Sequence, residues 1–420
     1  MTITRLEVAA ASAHMLAAVR ALSGERIPLA DSLARVLAED VTSPVFLPPF
    51  DNASMDGYAV HADDIRAAAP DRAITLQVIG TIAAGARPTR GIARGEAARI
   101  MTGAPVPSGA DSVVRVEDTD AGTEVVRITD GRDATRNIRR RGEDVRDGAV
   151  VMRRGTMIGS AHVGVLSSVG CASPLVFRRP RVAILATGDE IVPVEEFDAV
   201  LAGDRIVSSN SYSLAAAVRA AGGEPVPLGI AADDPALLAD RLRSADGCDL
   251  ILTSGGVSVG DFDYTRTVVS ALGGELSLWR VKMRPGAPLG FGTLFGVPWL
   301  GLPGNPVSAL VTFELFARPL LRSLSGHARP HRRTMAVRTG EKITLGAPLT
   351  HFLRVVLEPG DDVLPLARLT GAQSSGMLTS MSQAEALLVV PPDALEVPPG
   401  TVLRAIPLDG DLGGSERFLS

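Results

Sequence analysis

Ile251–Thr265, ILTSGGVSVGDFDYT, decides how the rest of the chain is read. The apolar run Leu250–Leu252 reads as a buried strand, and Ser254-Gly255-Gly256 lets the backbone turn sharply and lie close to a ligand. Helical spacing begins after Asp263, so the unit is strand, glycine loop, acid, helix. In an open α/β sheet this geometry puts N–H groups and a helix N-terminus where an anion can sit. A tight turn between core elements is the plainer reading, and an isolated Gly-Gly pair would favour it.

Working outward, Arg181–Ala186 reads as a second buried strand ending in Thr187-Gly188-Asp189-Glu190. Ser208–Gly222 reads as a helix that Ser209, Asn210 or Ser211 can cap and Gly222-Gly223 stops, and Pro225–Ile230 as a strand. Asp233-Asp234-Pro235 then opens a helix with acids at its positive end. Thr265–Leu272 predicts a helix and Leu276–Met283 a strand. Alternating strands and helices predict a doubly wound α/β domain. In Leu278–Arg284, LWRVKMR, period two sets Arg280, Lys282 and Arg284 on one face and Val281 and Met283 on the other. That face is an anion shelf or a charge-protected edge strand. Leu300–Pro306, LGLPGNP, predicts a rigid turn before an apolar helix over Val307–Leu321. Asn305, Pro306 and Ser308 there mark a second helix N-terminus open to an anion.

Before this domain, Ser12–Leu22 predicts an amphipathic helix and Ile27–Asp40 a strand-and-helix connection. Short β runs between Gly/Pro turns from 73 to about 130 predict a small β-rich domain. Asp56 and Thr102 lie in turns of this region, and turn chemistry accounts for both locally. Arg139–Arg141 is followed by Glu143-Asp144, the pattern of a solvated face with its own counter-charge. Residues 335–408 return to short β runs. A separate small β domain is expected there.

A chain of 420 residues with 43 Gly, 29 Pro and few aromatics suits several α/β and β domains. Its net charge of −5 argues against a surface that coats nucleic acid. Cys171 and Cys248 match no metal-ligand spacing and read as reduced structural thiols. No stretch approaches a membrane span and the N-terminus does not read as a signal peptide, so a cytoplasmic protein is expected.

Taken together and in order, NASMDGYAV (52–60), IMTGAP (100–105), RRGED (140–144), TGDE (187–190), SGGVSVG (254–260) with Asp263-Tyr264, and GLPGNPVS (301–308) strongly resemble the molybdopterin molybdenumtransferase family, relatives of the C-terminal part of gephyrin. The resemblance runs from about residue 5 to residue 408. It implies an elongated cytoplasmic homodimer of four domains, namely a discontinuous N-terminal domain (1–47 and 143–178), a β-rich insertion (48–142), the doubly wound domain (179–328) and a C-terminal β-barrel (329–410), with the active site completed across two subunits. Molybdate would join the dithiolene sulfurs of adenylylated molybdopterin, with Mg²⁺ assisting and AMP leaving. Other proteins of molybdenum cofactor biosynthesis are implied as partners. Carried over residue by residue, the functional acids fall on Asp56, Asp144, Glu190, Asp233 and Asp263, the threonine on Thr102, and the two prolines on Pro303 and Pro306. Glu190 and Asp263 are the implied Mg²⁺ or phosphate-positioning ligands. Ser254, Gly255, Gly256 and Ser258 would cradle phosphate, with Arg280, Lys282, Arg284, Asn305 and Ser308 completing the substrate contacts.

One departure stands out. The family's W-K…K-P-G-K-P becomes Trp279-Arg280 and Arg284-Pro285-Gly286-Ala287-Pro288 here, and Ala287 removes a cation. That loss leaves room for a non-catalytic pterin-binding scaffold or carrier. The doubly wound domain by itself also resembles molybdopterin adenylyltransferases, whose nucleotidyl chemistry is the other alternative. The additional domains favour metal insertion.

Overall fold

The computed structural model of the chain describes residues 5–256, 264–360 and 363–408. The chain divides into two compact units, one made of residues 1–38, 155–159 and 173–420, the other of 39–154 and 160–172.

The first unit is built on a seven-stranded sheet. Its elements in chain order are β1 (Arg5–Leu6), α1 (Val8–Ala17), β2 (Arg181–Thr187), α2 (Ser209–Ala220), β3 (Glu224–Ala231), α3 (Pro235–Arg243), β4 (Leu250–Ser254), α4 (Tyr264–Ala271), β5 (Glu275–Val281), β6 (Pro288–Leu294), β7 (Val297–Leu302) and α5 (Pro306–Thr312). The sheet order is β1-β5-β6-β7-β4-β2-β3. Strands β3, β2, β4 and β7 run parallel, and β5, β6 and β7 are joined by antiparallel pairings. Side chains alternate along β2. Val182 and Ile184 face α1, α2 and α5, whereas Ala183 and Leu185 face α3 and α4. Helices therefore cover both faces, the doubly wound arrangement expected from the alternating pattern.

Three local expectations are corrected by the structure. The first helix covers Val8–Ala17 rather than Ser12–Leu22, because beyond it the Leu22 N–H donates to the Leu324 carbonyl instead of continuing the helix. No helix forms in 27–40, where Leu29–Asp31 makes only a 3₁₀ turn. The apolar helix after Pro306 is not uniform: a π-turn at Phe313–Ala317 precedes a helix at Arg318–Leu324. Pro319 has no N–H and would clash with the carbonyl four residues back, and the wider turn just before it relieves both problems.

Five strands of residues 335–407 close into a barrel. They are β8 (Met335–Thr339), β9 (Thr350–Glu358), β10 (Leu366–Leu369), β11 (Ala386–Val390) and β12 (Val402–Pro407), in the order β9-β10-β8-β12-β11-β9. Met283–Arg284 pairs with β9, so the chain leaves the large sheet after Val281 and touches the barrel before returning as β6.

In the second unit a five-stranded sheet, ordered 112–115, 57–60, 96–100, 74–82 and 125–128, has an apolar core on each face. Tyr58 is fully buried there, its hydroxyl donating to the Gly122 carbonyl at 2.9 Å. No disulfide forms among the described residues, and Cys248 is buried. Among the described residues no helix is long and apolar enough to cross a membrane.

Candidate active site

The four parallel strands β2, β3, β4 and β7 end on one side of the sheet, and the loops that follow them enclose a cavity of about 650 Å³. This is the position at which open α/β sheets bind ligands. Thr187, Gly188 and Glu190 come from the end of β2, Asp233 from beyond β3, Ser254, Gly255 and Gly256 from β4, and Pro303–Pro306 from β7. The first turn of α2, Ser208–Asn210, supplies the remaining polar wall.

The loops are cross-linked. Asn210 Nδ2 donates to Ser254 Oγ at 2.6 Å and to the Gly304 carbonyl at 2.7 Å, fixing two loops to the helix start. The Gly255 N–H donates to the Leu302 carbonyl at 3.2 Å. Glycine is required at this point. Gly255 has φ +99°, and a Cβ there would lie 2.6 Å from the Thr187 carbonyl oxygen. A Cβ on Gly304 would come within 3.6 Å of Gly255 Cα, so the two loops stack backbone on backbone. Thr187 Oγ1 and Asn210 Oδ1 have no hydrogen-bond partner among the described residues.

The electrostatics are one-sided. Glu190 and Asp233 line the cavity, and no Lys, Arg or His does so among the described residues. The Asp189 carboxylate accepts the Asp233 N–H at 3.0 Å. Burial first, and then the charges of Asp189 and Glu190, hold the Asp233 carboxyl above the ordinary aspartate range. These carboxylates would repel an anionic ligand unless a cation offset their charge. Oxygen donors of this kind suit Mg²⁺, although the described residues do not bring three metal-ligating side chains together.

Of the residues singled out in the sequence, Glu190, Asp233, Ser254, Gly255, Gly256, Pro303, Asn305 and Pro306 meet at this one cavity. Ser258 and Asp263 lie outside the described residues. Asn305 and Pro288 are shared with a second cavity of about 860 Å³ that runs to the barrel and is lined by Ser308 and Arg284. The α5 terminus has little donor capacity left, since Pro306 has no N–H and the Val307 N–H donates to the Ser375 carbonyl. The cationic face of 280–284 is real but divided. Val281 and Met283 are buried, Lys282 and Arg284 exposed, and Arg280 half-buried. Lys282 pairs with Glu7 at 2.8 Å, and β1 covers β5, so this is neither a free edge nor a shelf in the first cavity.

In the second unit, Asp56 accepts from both the N–H and the hydroxyl of Thr102, each at 2.7 Å. These bonds hold its carboxyl below the ordinary range, the hydroxyl contributing most. Asp144 is exposed, and its N–H donates to the Leu47 carbonyl. Neighbouring Arg140 pairs with Asp51 at 2.7 Å, and the Arg141 guanidinium lies 4.1 Å from the Phe46 ring centre. Sequence reasoning did not single out Thr187, Gly188, Asn210 or Asp189. The TGDE stretch held a signal for three of them, whereas Asn210 reads locally only as a candidate helix cap; the structure corrects that, since Ser209, Asn210 and Ser211 lie inside α2 and its start has no side-chain cap bond.

In the first unit, then, a doubly wound domain carrying a glycine-lined, acid-bearing cavity is joined to a closed β-barrel. Residues 6–170 match the MoeA N-terminal region (domain I and II), 183–323 the probable molybdopterin binding domain, and 336–408 the MoeA C-terminal region (domain IV). The chain is 38% identical over 398 residues to molybdopterin molybdenumtransferase 2 of Mycobacterium tuberculosis, covering 93% of this chain and 96% of that protein. It is 36% identical over 362 residues to the molybdopterin molybdenumtransferase of Nostoc sp., covering 85% and 82%. The crystal structure of the molybdopterin biosynthesis MoeA protein of Pyrococcus horikoshii superposes with a TM-score of 0.83 at 27% identity, covering 96% of this chain and all of that one. The chain belongs to the molybdopterin molybdenumtransferase family, and with it to the transferases of molybdenum cofactor biosynthesis.

Proposed function

We propose that this protein inserts molybdate into adenylylated molybdopterin, with Mg²⁺-dependent release of AMP, to give molybdenum cofactor. The observation that carries this reading is the meeting of TGDE, SGG and LPGNP at one cavity whose wall has carboxylates and no cationic side chain among the described residues. The glycine turns let the phosphoanhydride approach the backbone closely. Glu190 and Asp263 are the residues that would hold Mg²⁺, which supplies charge neutralisation on the bridging phosphates when bound. Arg284, on the adjoining cavity, offers the positive charge that draws the oxyanion toward the dithiolene. Water cleaves the phosphoanhydride to AMP and molybdopterin phosphate, and molybdate exchanges one oxo ligand, lost as water with the two thiol protons, for the two dithiolene sulfurs, so molybdenum keeps its oxidation state. We further propose a cytoplasmic homodimer in which Asp56, Thr102 and Asp144 of a second copy act on the same substrate.

The test is AMP release from adenylylated molybdopterin by purified protein, with and without Mg²⁺ and molybdate. Release that depends on both, and is lost in Asp263→Ala and Glu190→Gln with the fold intact, is expected. Tight substrate binding without turnover would instead identify a carrier, and ATP-dependent adenylylation of molybdopterin the nucleotidyl alternative. Mixing inactive Asp56→Ala with inactive Glu190→Gln chains should restore part of the activity if two copies share a site. No restoration would remove Asp56 from it.

A further inference from the structure

Away from this site, the first unit carries a small cleft of about 150 Å³ between the ends of two helices. Its lining holds Arg35, Arg178, Arg179, Arg219, Arg322 and His327, and no carboxylate. Two of the five guanidiniums are already matched, Arg35 by Glu25 and Arg178 by Asp249. Arg179, Arg219 and Arg322 have no ion pair among the described residues. Arg322 Nε is buried without an acceptor among the described residues. Glu314, the carboxylate nearest in effect to Arg322, is already shared by Arg332 and Arg318.

A structural explanation competes with a ligand. Arg219 lies in the last turn of α2 and Arg322 in the last turn of Arg318–Leu324, where cations offset the negative end of the helix dipole. Each dipole end amounts to roughly half a charge, so two of them balance about one of the three unmatched arginines. The remaining positive charge is uncompensated, and part of it is out of water. His327 registers that field: burial, and then the charges of Arg322 and Arg318, push its pKa down to about 4. The volume equals about five water molecules at roughly 30 Å³ each. A tetrahedral oxyanion fits that space and a nucleotide or pterin does not.

We propose that this cleft binds one tetrahedral oxyanion of phosphate size, held by Arg322, Arg179 and Arg219. Guanidinium forks match such oxygens in pairs. The site is separate from the cavity at the strand ends and does not depend on the insertion reaction.

Equilibrium dialysis of the full-length protein against labelled inorganic phosphate, in chloride buffer at fixed ionic strength, tests it. One saturable phosphate per chain is expected, weakened at least tenfold by Arg322→Gln and by the exposed double variant Arg179→Gln/Arg219→Gln. Competition by sulfate and by molybdate then shows which oxyanion the cleft prefers. Should Arg322→Gln fail to fold, the exposed double variant decides. Uptake that chloride displaces equally well, or that the double variant leaves unchanged, overturns the proposal.

Discussion

Gly255→Ala probes the backbone contact on which the cavity is built. At φ +99° the residue lies outside even the left-handed well, a conformation costing a residue with a Cβ roughly 1–3 kcal/mol. The methyl would also sit 2.6 Å from the Thr187 carbonyl oxygen. That oxygen belongs to the last residue of β2, which pairs with Ala231 of β3, and it has no torsion by which to withdraw. Overpacking of this kind costs about 1–3 kcal/mol more, so a loss of about 4 kcal/mol is expected. Gly256→Ala is the internal comparison. Its φ of +62° falls in the left-handed well, a cost of about 1–2 kcal/mol. Its obstacle is a side-chain atom, Thr265 Oγ1. Thr265→Ala should therefore recover about half the loss in Gly256→Ala and none in Gly255→Ala, a difference read from a double-mutant cycle. Urea unfolding followed by tryptophan fluorescence suits the measurement, because both tryptophans, Trp279 and Trp299, lie in strands of this sheet. Gly255→Ala within about 0.5 kcal/mol of the parent, inside the ordinary range for a surface change, would refute the close-approach account. So would equal rescue of both glycine variants by Thr265→Ala.

Asn210→Ala removes two donated bonds and leaves Ser254 Oγ and the Gly304 carbonyl without them, so a loss of about 2 kcal/mol is expected in the same fluorescence assay. Asp133→Ala, at a fully buried side chain that accepts two bonds from the Arg115 guanidinium and a third from its backbone N–H, should cost about 2–4 kcal/mol and speed amide exchange in strand 112–115 of the second unit. His327 gives a pH prediction. Its pKa is depressed from 6.5 to about 4, so its stabilising contribution is complete above 6.5 and is lost as pH falls toward 4. The full fall would be worth roughly 3 kcal/mol, and partial solvent screening reduces this to about 1–2 kcal/mol. His327→Gln should flatten the stability profile between pH 6.5 and 4 in buffer free of phosphate and sulfate, and an unchanged profile would contradict the assigned cause.

The site was legible where its chemistry depends on chain order alone. TGDE, SGG and LPGNP each follow a strand, and parallel neighbours bring such ends to one side whatever the details of packing. Asn210 was not legible, because its partners are 44 and 94 residues further along the chain and meet it only when α2 seats on the sheet. The π-turn had a readable cause in Pro319, which lies within 307–321 and which a reading of that stretch as one uniform apolar helix overlooks. The helix starting at Val8 rather than Ser12 reflects β1, whose pairing with β5 is an event between residues about 275 apart and has no local signature.

The cations of 280–284 show the same limit in a form that bears on mechanism. Period two correctly assigns them a face, since Val281 and Met283 are buried while Lys282 and Arg284 are exposed. It says nothing of what covers that face. Glu7 takes Lys282, and the switch of the chain from the large sheet to the barrel carries Arg284 to the second cavity. The charge distribution that results is not a single cationic pocket. An acidic cavity, which on the proposed function takes the metal-bound pyrophosphate, adjoins a cavity bearing Arg284, with Asn305 and Pro288 in the wall of both. In that arrangement the nucleotide and the oxyanion need not compete for the same cations. Arg284→Gln should then raise the molybdate concentration needed for half-maximal AMP release while leaving binding of the adenylylated pterin nearly unchanged. Equal loss of both would place Arg284 on the phosphates instead.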